Sequence, residues 1–304
     1  MATVAPQVYR NFVNGKWVDS ASGQTVPSIN PATGETLGLV PASGPEDARD
    51  AVAAAKAAFE PWRKIPAPRR AEILFRAAEA LVRHKEDLAR LMTREMGKVL
   101  AETRGDVQEA IDMTYFIAGE GRRLHGYTTP SEMPNKAAYC LRVPVGVVGV
   151  ITPWNFPMAI PSWKIIPALL CGNTVVFKPA TDTPLVGIRF AQILNEAGLP
   201  PGVLNVVTGS GGRVGSAIVE HPDVAIVSFT GSTSIGLAMA EKCARLGKRV
   251  SLEMGGKNAA IVMDDADLDL ATDALIWSAF GTSGQRCTAC SRIITHRLAR
   301  KDLT

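Results

Sequence analysis

Little in this sequence draws it toward nucleic acid, a membrane or a metal. Lys and Arg number 33 against 29 Asp and Glu, leaving a net charge of only +4 over 304 residues, with basic pairs such as Arg122-Arg123 and Lys248-Arg249 kept apart. The basic stripe of a nucleic-acid binder is missing. The richest apolar region, from Val143 to Leu170, is cut by prolines and by Lys164, so no membrane span is expected. The opening MATVAPQVYRNF has no basic-then-apolar pattern, which predicts no export signal and a cytoplasmic protein. Four isolated histidines and one CxxC cannot supply four zinc ligands. Asp264-Asp265-Ala266-Asp267 lacks the loop glycine of a calcium site and reads instead as the acidic start of a helix. No Walker sequence occurs, because Lys257 of GGKN is followed by asparagine. Five cysteines, an odd number in a chain too large to need staples, suit a reducing compartment.

What is present is the composition of a globular α/β protein, 46% hydrophobic and 20% charged, long enough for two domains. Asn14-Gly15 between short alternating runs predicts a two-residue hairpin. Pro45 and the acids after it open an alanine-rich helix to about Glu60, followed by amphipathic helices over roughly 67 to 94 and 98 to 120. Residues 125–144 carry three prolines and no helical period, which predicts a protruding hairpin. From Val145 onward, apolar strands alternate with helices: VGVVGVI, NTVVFK, VLNVVT, VAIVSF and RVSLE, then NAAIVM, a helix from about 267 and RIITH. That alternation predicts a parallel sheet covered on both faces.

Ligands of such sheets bind outside the carboxyl ends of the strands. There the sequence places TPWNFP, PATDTP, GSGGRVG, TGSTSIG and EMGGKN. The spacing of Gly209, Gly211 and Gly215 is one residue longer than the usual dinucleotide fingerprint and is weak by itself. With Gly231-Ser232 at another helix start it favours a phosphate site.

GQRCTAC, residues 284–290, holds the two close cysteines. It lies in a glycine-containing loop before a strand, unlike a thioredoxin-type pair at a helix start. A single reactive thiol, its thiolate stabilised by Arg286 and backbone amides, is one reading; two buried inert thiols is the other. A nucleophile also needs a base and an oxyanion donor. Glu253 at the end of RVSLE and Asn155 in TPWNFP offer both from separate strand ends.

Together these segments resemble the NAD(P)-dependent aldehyde dehydrogenase superfamily: TPWNFP, KPATDTP from Lys178, FTGSTSIG, LEMGGKN and FGTSGQRC occur in that family's order over nearly the whole chain. The resemblance implies a Rossmann-like cofactor domain over 1–124 and 145–253, an oligomerisation hairpin over 125–144, and a partial α/β catalytic domain over 254–304. It implies catalysis by Cys287 as nucleophile, Asn155 as oxyanion donor and Glu253 as base. It also implies an NAD or NADP site made by Ile151, Thr152, Pro153, Trp154, Lys178, Thr181, Gly211, Gly215, Phe229, Thr230, Gly231, Ser232, Met254 and Gly255. The implied partners are an aldehyde substrate and further copies of the chain. Thr181 stands where many NAD-preferring relatives carry glutamate, so use of both cofactors with some NADP preference is expected. Family members usually continue well past the position of Thr304. The expectation is therefore an incomplete portion of such an enzyme, with a non-catalytic nucleotide-binding or interaction fragment as the alternative and little turnover by the 304 residues alone. Arg286 beside the nucleophile either attracts the carboxylate of a semialdehyde or is paired elsewhere in its loop.

Overall fold

The computed structural model describes residues 5–299, so residues 1–4 and 300–304, the outer edges of the first and last expected segments, lie outside it. The chain begins with β1 (Asn11–Val13) and β2 (Lys16–Val18), an antiparallel hairpin turned by Asn14 and Gly15, both at positive φ. That left-handed pair matches the right-handed twist of the strands. A second antiparallel pair, β3 (Thr25–Ile29) and β4 (Thr36–Pro41), leads into helices α1 (Pro45–Arg63), α2 (Ala67–Arg83), α3 (Lys85–Met96) and α4 (Leu100–Gly119). The single helix expected over 67 to 94 is thus two helices that meet at His84. The break frees α3 to pack against α4 and against the later helix Pro184–Glu196, and no glycine or proline marked it. At its far end α3 is stopped by left-handed Gly97.

Strands β5 (Tyr127–Thr129) and β6 (Ala138–Cys140) form an exposed antiparallel hairpin. The alternating region follows as β7 (Val147–Ile151), α5 (Ala159–Leu170), β8 (Thr174–Lys178), α6 (Pro184–Glu196), β9 (Leu204–Val206), α7 (Ser216–Glu220), β10 (Val224–Thr230), α8 (Thr233–Arg245) and β11 (Arg249–Glu253). The helix expected from 212 starts as a wide turn over Gly211–Gly215, with the α-helix delayed to Ser216. After these come β12 (Asn258–Val262), α9 (Leu268–Phe280) and β13 (Cys290–Thr295), the two strands pairing in parallel. Asp267 caps α9 by accepting the Leu270 N–H at 3.0 Å, which is the helix-start role its acidic run predicted.

The main sheet runs β11-β10-β7-β8-β9-β1-β2, parallel from β11 to β9. Every residue of β7 and β8 is buried. Val148 and Val150 join the core under α2, α4, α5 and α6, whereas Val147 and Ile151 join the core under α1 and α7. Burial on both faces explains the continuous apolar runs, and each such side chain contributes about 1.5–3 kcal/mol on leaving water. The sheet grows from β7 in both directions: β8 and β9 to one side, β10 and β11 to the other. Its switch point therefore lies between β7 and β10, and a crevice opens beyond their carboxyl ends. Among the described residues, no helix is long and apolar enough to cross a membrane.

Candidate active site

Two cavities occupy this crevice. The first, of about 340 Å³, is an apolar slot between α7, α8 and the end of β7, walled by Ile151, Val219, Phe229, Ile235 and Met239 with Gly211 and Gly215 at its rim. A side chain at Gly211 would meet nothing within 4 Å, so the rim is open to a planar group. Gly209 just before it has φ +137°, and a Cβ there would lie 2.8 Å from Val214 and 3.0 Å from the Ser43 carbonyl. Only glycine allows the chain to turn this closely. Lys178, 4% exposed at the end of β8, donates to the carbonyls of Pro179 at 2.6 Å and Gly209 at 3.2 Å. Burial pushes its ammonium down to about 8, with Asp182 pulling the other way. Thr181 is exposed and directs its hydroxyl to the same Gly209 carbonyl at 3.4 Å.

The second cavity, of about 360 Å³, is where the loop that carries Cys287 faces the strand ends. Pro153, Trp154 and Asn155 line it from β7, Thr230, Gly231 and Ser232 from β10, Met254 and Gly255 from β11, and Arg286 and Cys287 from the loop. Thr152, 4% exposed, lies behind it and donates its N–H to the Lys178 carbonyl at 3.4 Å. The buried Thr230 Oγ1 has no partner within the protein. An apolar slot, glycine turns, a buried lysine and an unpaired hydroxyl fit a dinucleotide, with its flat base in the slot and its polar middle at Gly231 and Ser232.

The two cysteines do not act as a pair. Cys290 begins β13 and its Sγ donates to the Arg292 carbonyl at 3.3 Å, whereas Cys287 is exposed in the loop before it. That removes the reading of two buried inert thiols. Asn155 Nδ2 donates to the Gln285 carbonyl at 2.7 Å. The amide therefore uses one N–H to hold the loop and has a second that this bond does not occupy.

Glu253 is exposed at the end of β11, level with Thr230, and its carbonyl accepts the Gly231 N–H at 3.1 Å. Strand-end logic set its position along the sheet, level with the residues that open the second cavity, although it is not itself among that cavity's lining residues. Its charge does reach Lys164 of α5, whose ammonium burial pushes down to about 8 while Glu253 raises it. Lys164 Nζ donates to Ser228 Oγ at 3.1 Å. In the sequence it was only an interruption of an apolar run, although one lysine in the helix AIPSWKIIPALL was a signal in itself.

Two more residues escaped the sequence reading. Asn258, noted only as the residue that spoils a Walker motif, donates through Nδ2 to the Cys287 carbonyl at 2.7 Å and the Ala289 carbonyl at 3.2 Å. Glu102 in the first turn of α4 accepts from Thr282 N at 3.1 Å and Thr282 Oγ1 at 2.6 Å, 180 residues along the chain. Burial alone would raise the Glu102 carboxyl; the Thr282 bonds, Arg286 and Lys98 together leave it below its ordinary value.

Arg286 is the partner of that carboxylate. Its Nη2 is 3.4 Å from Glu102 Oε1, its Nε donates to Thr282 Oγ1 at 2.9 Å, and its guanidinium stacks 4.6 Å from the Trp277 ring centroid. With its side chain 19% exposed, it is paired within its own surroundings, which is the second of the two expectations for it.

The site is thus an open α/β crevice with glycine turns on one side and an exposed thiol on the other. The family model described as "Aldehyde dehydrogenase family" matches residues 17–304, and the chain belongs to that family. It is 46% identical over 296 residues to the alpha-ketoglutaric semialdehyde dehydrogenase of Bacillus subtilis (strain 168), covering 97% of this chain and 61% of the relative. To malonate-semialdehyde dehydrogenase 3 of Geobacillus kaustophilus (strain HTA426) it is 48% identical over 285 residues, covering 94% and 59%. A crystal structure titled as an E. coli NADP dependent enzyme superposes with a TM-score of 0.95 at 41% identity, covering 98% of this chain and 62% of that one. The chain thus spans about three fifths of the length of these relatives.

Proposed function

We propose that this chain carries the nucleophile, oxyanion donor, base and dinucleotide cradle of an NAD(P)-dependent aldehyde dehydrogenase. The observation behind this reading is the meeting of exposed Cys287 with Asn155, Gly231 and Ser232 in one crevice. The Cys287 sulfur, as thiolate, adds to the aldehyde carbon, and the carbonyl electron pair becomes an oxyanion held by the free N–H of Asn155 and the backbone N–H of Cys287. When bound, the oxidised nicotinamide supplies the acceptor for the hydride pair that leaves this carbon. The carbon–oxygen double bond re-forms as a thioester on Cys287. Glu253 then takes a proton from water, the water oxygen adds to the thioester carbon, and the carbon–sulfur bond breaks to give the acid and the thiolate.

The cradle would seat the adenine in the slot beside Ile151 and Phe229, its ribose near Lys178 and Thr181, and the pyrophosphate at Ser232. A neutral hydroxyl at Thr181 leaves room for a 2′-phosphate, which supports use of both cofactors with some preference for NADP. The named relatives act on semialdehydes, which supports a carboxylate-bearing aldehyde as substrate. Because Arg286 is paired with Glu102 and Thr282, it is not proposed as the group that meets that carboxylate. The exposed hairpin of β5 and β6, with Tyr127 and Tyr139 open to solvent, is the surface proposed for a second copy.

Rapid mixing of the full-length gene product with a panel of aldehydes and each cofactor tests the reading. Wild type should form reduced cofactor steadily. Glu253→Gln should give a burst close to one equivalent per active thiol and then turn over about 10²–10⁴-fold more slowly. Unchanged steady turnover in that variant moves the base elsewhere, and no reduced cofactor from any aldehyde removes the function.

A further inference from the structure

The turn that presents Cys287 has an unusual backbone. Thr282, Ser283 and Gly284 follow one another in the left-handed region, with φ of 51°, 54° and 72°. Glycine takes this conformation freely, but a β-branched threonine does not. Such residues persist where surrounding groups over-determine them.

Here the surroundings come from another part of the chain. Glu102, its side chain 11% exposed, accepts from both the N–H and the hydroxyl of Thr282. The same hydroxyl oxygen accepts from Arg286 Nε, and Arg286 Nη2 closes the circuit to Glu102. Arg286 is flanked by the rings of Trp277 and Phe156, the latter adjacent to Asn155. Beneath the Phe156 ring, Lys98 Nζ lies 3.8 Å from the centroid and pairs at 3.1 Å with Asp106, both side chains fully buried. Asp106 in turn accepts the N–H of Ala159 at the start of α5 at 2.8 Å. The beginning of α4, the Asn155-Phe156 segment and the turn before Cys287 are therefore one connected assembly.

We propose that Glu102 is a positioning residue for Cys287: through Thr282 and Arg286 it holds the left-handed turn that sets the thiol against the Asn155 amide. This rests on Cys287 being the nucleophile. Glu102 lines neither of the two cavities of the crevice, and its effect reaches the reaction through the turn. A displacement of the thiol by about 1 Å is enough to cost on the order of 10²-fold in rate.

The test compares Glu102→Ala, Thr282→Val and Thr282→Ser with wild type in the full-length gene product. Glu102→Ala and Thr282→Val should lower kcat by about 10²-fold while leaving the cofactor KM near wild type, because the cradle is built elsewhere. Thr282→Ser, which keeps the hydroxyl, should recover most of kcat. A second measurement does not depend on turnover: the iodoacetamide alkylation rate of Cys287 relative to Cys290, read by peptide mass spectrometry. That ratio should fall about tenfold in Glu102→Ala as the thiolate loses its fixed surroundings. Wild-type kcat in Glu102→Ala, a cofactor KM that rises as kcat falls, a serine variant no better than the valine, or an unchanged or raised alkylation ratio would each overturn the proposal. Should wild type oxidise no aldehyde, the proposed function fails, and the alkylation ratio still decides whether Glu102 positions the thiol.

Discussion

The two sides of the crevice are built by opposite means. On the side of the glycine turns, Lys178 and Ile151 end strands buried on both faces and Phe229 stands one residue before the end of the partly buried β10; their positions follow from parallel registers such as Ile151 opposite Lys178 and Phe229 opposite Leu252. On the thiol side, Cys287 sits on a turn outside any sheet, held by side chains from three distant segments: Glu102, Asn155 and Asn258. A binding surface can be inherited from a sheet, whereas a nucleophile must be set in place by individual hydrogen bonds. The first tolerates small changes, and the second does not.

That contrast can be broken most severely at the thiol itself. Cys287→Ser should reduce aldehyde oxidation by roughly 10³-fold or more while leaving NADP binding, followed by fluorescence titration, close to wild type. If both are lost together, the two sides are one unit and the contrast is wrong. A smaller effect is expected at the ribose end of the cradle. Thr181→Glu places a carboxylate beside the proposed 2′-phosphate site and should shift the ratio of kcat/KM for NADP over NAD downward by about tenfold, with oxidation by NAD retained. An unaltered ratio would place 2′-phosphate recognition away from Thr181.

The smallest effect concerns stability. Burial lowers Lys178 and Lys164 to about 8, below the ordinary lysine value of 10.5. Between those values the unfolded chain binds more protons than the folded one, so stability rises with pH across the window and the cost of burying the charges is fully present below about 8. Urea unfolding midpoints should climb from about pH 8 to about pH 10, and the climb should shrink in Lys178→Met and Lys164→Met. An identical slope in both variants would mean that neither lysine is buried as a cation.

How much of this was legible in the sequence follows the same division. The strands, the glycine turns at their ends and the chain-start hairpin could be read because each depends on residues within about ten positions of one another: the apolar period, Asn14-Gly15, Gly209. The break at His84 could not, since no breaker residue stands there and the cause is the packing of α3 on α4 and α6. The link from Glu102 to Thr282 crosses 180 residues and carries no local signature. Arg286 shows the limit most clearly. Its neighbour Cys287 suggested a carboxylate-binding role, and only the folded chain revealed that Glu102 and Thr282 already occupy it.

Its resemblance to a family singled out Cys287 among the five cysteines, and by its own pattern the sequence determined the parallel sheet and the strand ends at which chemistry could sit. These are consequences of short-range pattern, because hydrophobic periodicity and turn chemistry act between near neighbours. Tertiary structure alone decided which polar groups reach that cysteine, that Lys164 lies within the field of Glu253, and that three left-handed residues are kept in place by a carboxylate on α4. The reason is physical: hydrogen bonds and charges act over a few ångströms of space, and only the packing of the helices on the sheet brings those distant segments that close.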